Sequence, residues 1–136
     1  VVKNTGLQGR WQQLGENPKI ICDTAHNKHG LEVVMNQLKN EKYEKLHIVF
    51  GVVNDKDLES ILPLFPKEAQ YYFCNPNSSR ALPAEILQSE AKKHDLIGEK
   101  YDSVAIAFAE AKKNASKNDF IYAGGSTFVV AELPLG

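Results

Sequence analysis

Short apolar runs alternate with segments whose apolar residues recur every three or four positions, from about residue 20 onward. The runs predict buried strands, and the 3.6-residue period predicts amphipathic helices. The predicted strands are Lys19–Asp23, Leu46–Val53, Ala69–Cys74 and Phe120–Ala123. The first 18 residues differ, because Gln8–Leu14 followed by the turn-like Gly15–Pro18 predicts a short β-hairpin leading into the first core strand.

Helices are predicted in each interval that follows a strand. The expected buried positions are Leu31, Val34, Met35 and Leu38; Leu58, Ile61, Leu62 and Phe65; Ile86, Leu87 and Ala91 after Pro83; and Val104, Ala105 and Phe108 within Asp102–Ala115. A final helix is expected to start near Thr127. Alternating strands and helices imply βαβ units with right-handed crossovers, and therefore a Rossmann-like α/β fold with a mostly parallel sheet flanked by helices.

Composition narrows the function classes. A chain of 136 residues fits a single domain spanning residues 1–136, and a net charge of -1 without a basic stripe argues against nucleic-acid binding. The apolar runs are too short to cross a bilayer. Cys22 and Cys74 lie in strand-like runs without CxxC spacing, so we expect free thiols in a reducing cytoplasm. We see no signal-peptide pattern and expect the chain to be a piece of a longer protein.

Ligands of parallel sheets gather at the carboxyl ends of the strands. The segment Asp23-Thr24-Ala25-His26-Asn27 follows one strand and precedes a helix. Its aspartate and histidine could receive an ammonium group or move a proton, and a helix start favours anions. The alternative interpretation is a helix N-cap with a surface histidine.

Three further post-strand segments carry polar or glycine residues. Gly51–Asp57 allows close backbone approach but is no P-loop, and Asp55 and Asp57 also fit a capped turn. Gly124-Gly125-Ser126 could place a hydroxyl at a helix start, or form a plain tight turn. Arg80, in Asn75–Arg80, and Arg10 on the predicted hairpin could contact phosphate, although an isolated surface arginine is usually only solvated. The histidines show no metal-ligand spacing.

In this order the segments resemble the C-terminal domain of the folylpolyglutamate synthase/dihydrofolate synthase family, within the Mur ligase superfamily. The resemblance is carried by Gly9-Arg10, by Asp23-x-Ala25-His26-Asn27 with Gly30, and by Phe50-Gly51-x-x-x-Asp55-Lys56-Asp57. Arg80-Ala81 and Gly125-Ser126, each before a helix, also fit. Thr24 departs from the pattern, since the family usually has glycine there.

The resemblance implies an ATP-dependent ligase. ATP phosphorylates the terminal γ-carboxylate of a folate, the amine of L-glutamate attacks the acyl phosphate, and an amide, ADP and phosphate result. It implies that Arg10 and Asp23 contact ATP, and that Asp23, His26 and Ser126 handle glutamate, with Asp23 and His26 as catalytic residues. ATP and Mg²⁺ would be held mainly by a covalently linked N-terminal P-loop domain absent from this chain, which would be inactive alone. We expect a cytoplasmic monomer.

Two alternatives remain at this point. A cell-wall Mur-type amino-acid ligase shares the fold and the acyl-phosphate chemistry but uses another acceptor. A free-standing flavodoxin-like domain would bind a nucleotide or a partner protein. Its receiver-like form would need an acidic pair after the first strand, where Asp23 stands alone. Dihydrofolate synthase activity, folate form and product length do not follow from the residues.

Overall fold

The computed structural model describes residues 11–53 and 58–133. The strands within these ranges are β1 (Gln12–Glu16), β2 (Lys19–Asp23), β3 (Leu46–Phe50), β4 (Gln70–Cys74), β5 (Gly98–Tyr101) and β6 (Phe120–Gly124). The helices are α1 (Lys28–Lys39), α2 (Leu58–Ile61), α3 (Ala84–Lys92), α4 (Val104–Asn114) and α5 (Thr127–Ala131), with a 3₁₀ turn at Leu62–Leu64. Arg10 and the Asp55-Lys56-Asp57 segment lie outside the described residues.

The strands form one six-stranded sheet in the order β1-β2-β6-β3-β4-β5. Only the β1–β2 pair is antiparallel, and the other neighbours run parallel. This confirms a mostly parallel α/β sheet preceded by a hairpin. Buried side chains of α1, α2 and α3 cover one face of the sheet, and those of α4 and α5 cover the other.

The strand predictions were right for the centre of the sheet and incomplete at its edge. The predicted strands match β2, β3, β4 and β6, although β3 ends at Phe50 and Val53 forms only an isolated bridge with Ala81. Strand β5 was missed. Its sequence Gly98–Tyr101 contains no apolar run, because it pairs with β4 alone and exposes two of its four side chains.

Two predicted core residues are exposed. Ala105 faces outward, because the buried stripe of α4 follows helical spacing through Val104, Ala107, Phe108 and Ala111. Ile86 is 48% exposed, one position before the buried Leu87. The second predicted helix is α-helical only as far as Ile61, since a proline at 63 opposes a continuing α-helix.

A buried polar network lies at the amino-terminal edge of the sheet. The two ring nitrogens of His47 lie 2.8 Å from Asp119 Oδ2 and 2.9 Å from the Tyr72 hydroxyl. Burial would raise the pKa of Asp119, but hydrogen bonds from His47 and Ser116 outweigh it and lower the pKa. Because these buried polar groups are hydrogen-bonded to one another, the network stabilises the packing of β3 against β4 and against the residue before β6.

Gly125 is required by the turn that follows β6. Its φ of +102° is a conformation that side chains disfavour, and a Cβ atom there would lie 2.5 Å from the Gly51 carbonyl oxygen. We expect Gly125→Ala to lower the free energy of unfolding by about 2 kcal/mol or more, measured by urea denaturation. Gly30→Ala is the control, since its added Cβ would meet only side-chain atoms and the Ala25 Cα at 3.2 Å or more. Equal stability of the two variants would contradict this explanation.

Candidate functional site

The strand order creates a crevice at the carboxyl edge of the sheet. Strand β6 lies between β2 and β3, yet α5 after β6 packs on the face opposite to α1 and α2. Neighbouring strands whose connections leave on opposite faces form the ligand-binding crevice of such sheets. Register places Gly124 beside both Asp23 and Phe50, so the ends of all three strands are level.

Asp23 ends β2 and is only 6% exposed. Its Oδ2 accepts a hydrogen bond from the backbone N–H of Trp11 at 2.8 Å, and its Oδ1 accepts one from Ala25 at 2.7 Å. Two backbone donors therefore hold the carboxylate in one orientation, while its remaining lone pairs stay available to a ligand. Sequence reasoning missed Trp11, because a contact across 12 residues carries no local signal.

His26 is exposed at the mouth of the same region. Its Nδ1 lies 3.2 Å from the Thr24 carbonyl oxygen, which can only accept. Nδ1 therefore carries the hydrogen in this arrangement, and Nε2 of the neutral ring keeps its lone pair for a proton. Asn27 is the N-cap of α1, since its Oδ1 accepts from Gly30 N at 2.8 Å. The capping interpretation is thus correct for Asn27 but does not describe Asp23.

One cleft of about 400 Å³ unites Asp23 and His26. Trp11 and the first turns of α1 form the rest of its wall. Its size suits part of a small substrate, and it combines a carboxylate, an imidazole and an aromatic side chain. Such a set can orient an amine and accept its proton.

Ser126 and Arg80 do not line this cleft. Ser126 is 2% exposed and caps α5, because its hydroxyl oxygen accepts a hydrogen bond from Val129 N at 3.3 Å. It lies two residues beyond Gly124, on the α5 side of the crevice. Arg80 is exposed in the loop after β4, where its backbone N–H donates to Ser78 Oγ. Asp23 and His26 therefore line the same cleft, whereas Ser126 is buried outside it.

Residues 11–53 and 58–133 contain no cluster of three His, Cys, Asp or Glu side chains placed to hold a metal ion. The expectation that Mg²⁺ is held by another domain stays a prediction. No helix in these ranges has the length and apolar character needed to cross a membrane.

The family of this chain follows from its sequence and fold. Residues 9–127 match the family described as "Mur ligase, glutamate ligase domain". The chain belongs to this family. The matched range includes the end of β2, the residues that line the cleft and the turn before α5.

Within this family, the chain is similar to dihydrofolate synthase/folylpolyglutamate synthases. The chain is 32% identical over 129 residues to the dihydrofolate synthase/folylpolyglutamate synthase of Escherichia coli, covering 93% of this chain. A structure of E. coli FolC in complex with DHPP and ADP is similar at a TM-score of 0.81 and 31% identity over 92% of the chain. A bifunctional folylpolyglutamate synthase/dihydrofolate synthase with Mn, AMPPNP and L-glutamate bound gives 0.80 and 27%, also over 92%. The chain spans only 30% of the length of each of these proteins.

The two backbone hydrogen bonds to Asp23 predict a stability effect. We expect Asp23→Ala to lower the free energy of unfolding by about 1–3 kcal/mol, because the N–H groups of Trp11 and Ala25 lose their acceptor. Asp23→Asn keeps one carbonyl oxygen and should cost less. Urea denaturation of the three proteins measures both differences. If Asp23→Ala were as stable as the wild type, the carboxylate would not hold these segments.

Proposed function

We propose that this domain is the C-terminal part of an ATP-dependent folate:L-glutamate ligase and completes a site shared with an N-terminal ATPase domain. The observation that supports it most is the cleft in which Asp23 and His26 meet at the carboxyl edge of the sheet. The similarity to proteins described as binding ADP and L-glutamate supports the same substrates. In this proposal Arg10 and Asp23 contact ATP, and Asp23, His26 and Ser126 handle glutamate.

The reaction needs an acceptor amine that is held and deprotonated. ATP transfers a phosphoryl group to the folate γ-carboxylate, giving an acyl phosphate and ADP. The glutamate nitrogen then forms the C–N bond, phosphate leaves, and the nitrogen loses a proton. Asp23 is positioned to attract the incoming ammonium group, since two backbone N–H groups hold its carboxylate at the cleft wall.

His26 is the group best placed to take that proton. Its Nδ1 is engaged by the Thr24 carbonyl oxygen, which directs the lone pair of Nε2 away from the backbone. The exposed ring can meet a substrate that enters between two domains. A histidine so placed acts as a general base, or orients the nucleophile.

The remaining parts of the proposal concern the protein beyond this domain. A P-loop domain would hold the phosphates of ATP and Mg²⁺ as well as most of the folate, and the protein would be a cytoplasmic monomer. The chain alone would be inactive, because half of each substrate site lies in the other domain. The 32% identity to the dihydrofolate synthase/folylpolyglutamate synthase of E. coli favours a folate acceptor over the cell-wall ligase interpretation.

The decisive assay uses the full-length protein with ATP, a reduced folate and L-glutamate. We expect ADP release that requires both folate and glutamate, and a folate product heavier by one glutamate residue in mass spectrometry. Dihydropteroate in place of folate tests for dihydrofolate synthase activity. The isolated domain should show no turnover. Activity with a cell-wall precursor instead of folate would reject the proposal.

Substitution of His26 tests its assigned role. We expect His26→Ala to lower kcat about 100-fold in the full-length enzyme, as is typical for loss of a general base, with the KM for ATP nearly unchanged. His94→Ala is the control, because His94 follows α3 at the opposite edge of the sheet. Initial rates of ADP release measure both variants. Wild-type kinetics in His26→Ala would remove the histidine from the mechanism.

A further inference from the structure

The Tyr122 hydroxyl lies next to Gly124, at the carboxyl edge of the sheet where the proposed site is. Tyr122 lies in β6, two residues before Gly124, so the two positions face the same side of the sheet. A Cβ atom at 124 would collide with the Tyr122 hydroxyl and lie 2.8 Å from the Asp23 carbonyl oxygen. The phenol therefore fills the place of the side chain that Gly124 lacks.

Sheet register brings that hydroxyl to the level of Asp23. Ile21 pairs with Tyr122 and Asp23 pairs with Gly124, and paired residues of parallel strands project to the same face. Ile21 and Tyr122 share the core cluster beneath α1, so the Asp23 side chain starts from this face too. Because the ring of Tyr122 extends to the row of Gly124, its hydroxyl becomes a neighbour of the Asp23 side chain.

The Tyr122 hydroxyl is buried and has no hydrogen-bond partner among residues 11–53 and 58–133. A buried hydroxyl without a partner destabilises a protein, and such groups call for an explanation. Burial, followed by the nearby charge of Asp23, raises the pKa of Tyr122 well above its ordinary value. The hydroxyl therefore keeps its proton and can only gain by donating it to an acceptor.

We propose that Tyr122 is a positioning residue for Asp23, donating its hydroxyl hydrogen to the carboxylate when Asp23 turns to a bound substrate. This inference rests on the proposed function. Asp23 has lone pairs left after accepting from Trp11 and Ala25, so a third donor is accommodated. A carboxylate drawn toward a substrate ammonium group loosens its backbone contacts, and the tyrosine supplies a donor from beneath. The Tyr122 hydroxyl thus gains a hydrogen-bond acceptor when substrate is bound, although it lowers the stability of the domain when the site is empty.

The test is Tyr122→Phe in the full-length enzyme, with glutamate varied at saturating ATP and folate. We expect the KM for glutamate to rise about tenfold, as for the loss of one hydrogen bond to a charged group, with kcat changed much less. The melting temperature should not fall, since the removed hydroxyl has no hydrogen-bond partner among residues 11–53 and 58–133 of the empty domain.

Tyr71→Phe is the matched control. Tyr71 is also buried, but its hydroxyl donates to the Pro66 carbonyl oxygen at 2.6 Å, away from the rim. It should lower the melting temperature and leave the KM for glutamate within twofold of the wild type. For Tyr122→Phe, an unchanged KM for glutamate, or a lower melting temperature, would overturn the inference. A wild-type enzyme without ligase activity would instead reject the proposed function, so the two failures are distinguishable.

Discussion

The buried carboxylate of Asp23 is the constraint on which the site depends. An ionised carboxylate removed from water must be compensated by donors, or its burial costs several kcal/mol. Both donors are backbone N–H groups, one from Trp11 before the hairpin and one from Ala25 after β2. The same side chain therefore fixes the start of β1 and the loop that carries His26. In the proposed function, substrate binding and local folding are therefore coupled through this one residue.

Glycines at the carboxyl edge of the sheet let neighbouring backbone segments approach closely. Gly51 follows β3, Gly124 ends β6 and Gly125 follows it, and the N–H of Gly51 donates to the Gly124 carbonyl oxygen at 3.3 Å. Added Cβ atoms would contact backbone oxygens at all three positions. Backbone segments therefore pack directly against one another at this part of the sheet edge.

The sequence predicted the centre of this fold well, because β2, β3, β4 and β6 are buried on both faces and produce continuous apolar runs. Because β2 was recognised as a strand, the polar segment Asp23–Asn27 at its carboxyl end was also singled out. It could not reveal β5, whose polar edge sequence resembles a loop. Nor could it place Tyr122 beneath Asp23, since that neighbourhood depends on the insertion of β6 between β2 and β3.

Ser126 shows that capping and ligand binding need not exclude each other. Its hydroxyl oxygen accepts from Val129 N, which leaves the hydroxyl hydrogen free to be donated to a carboxylate. Access is the obstacle, because Ser126 is 2% exposed whereas His26 is exposed at the cleft. The two parts of the proposed glutamate site thus differ in their accessibility to a substrate. Asp23 and His26 lie together in a preformed cleft, whereas Ser126 is buried outside that cleft.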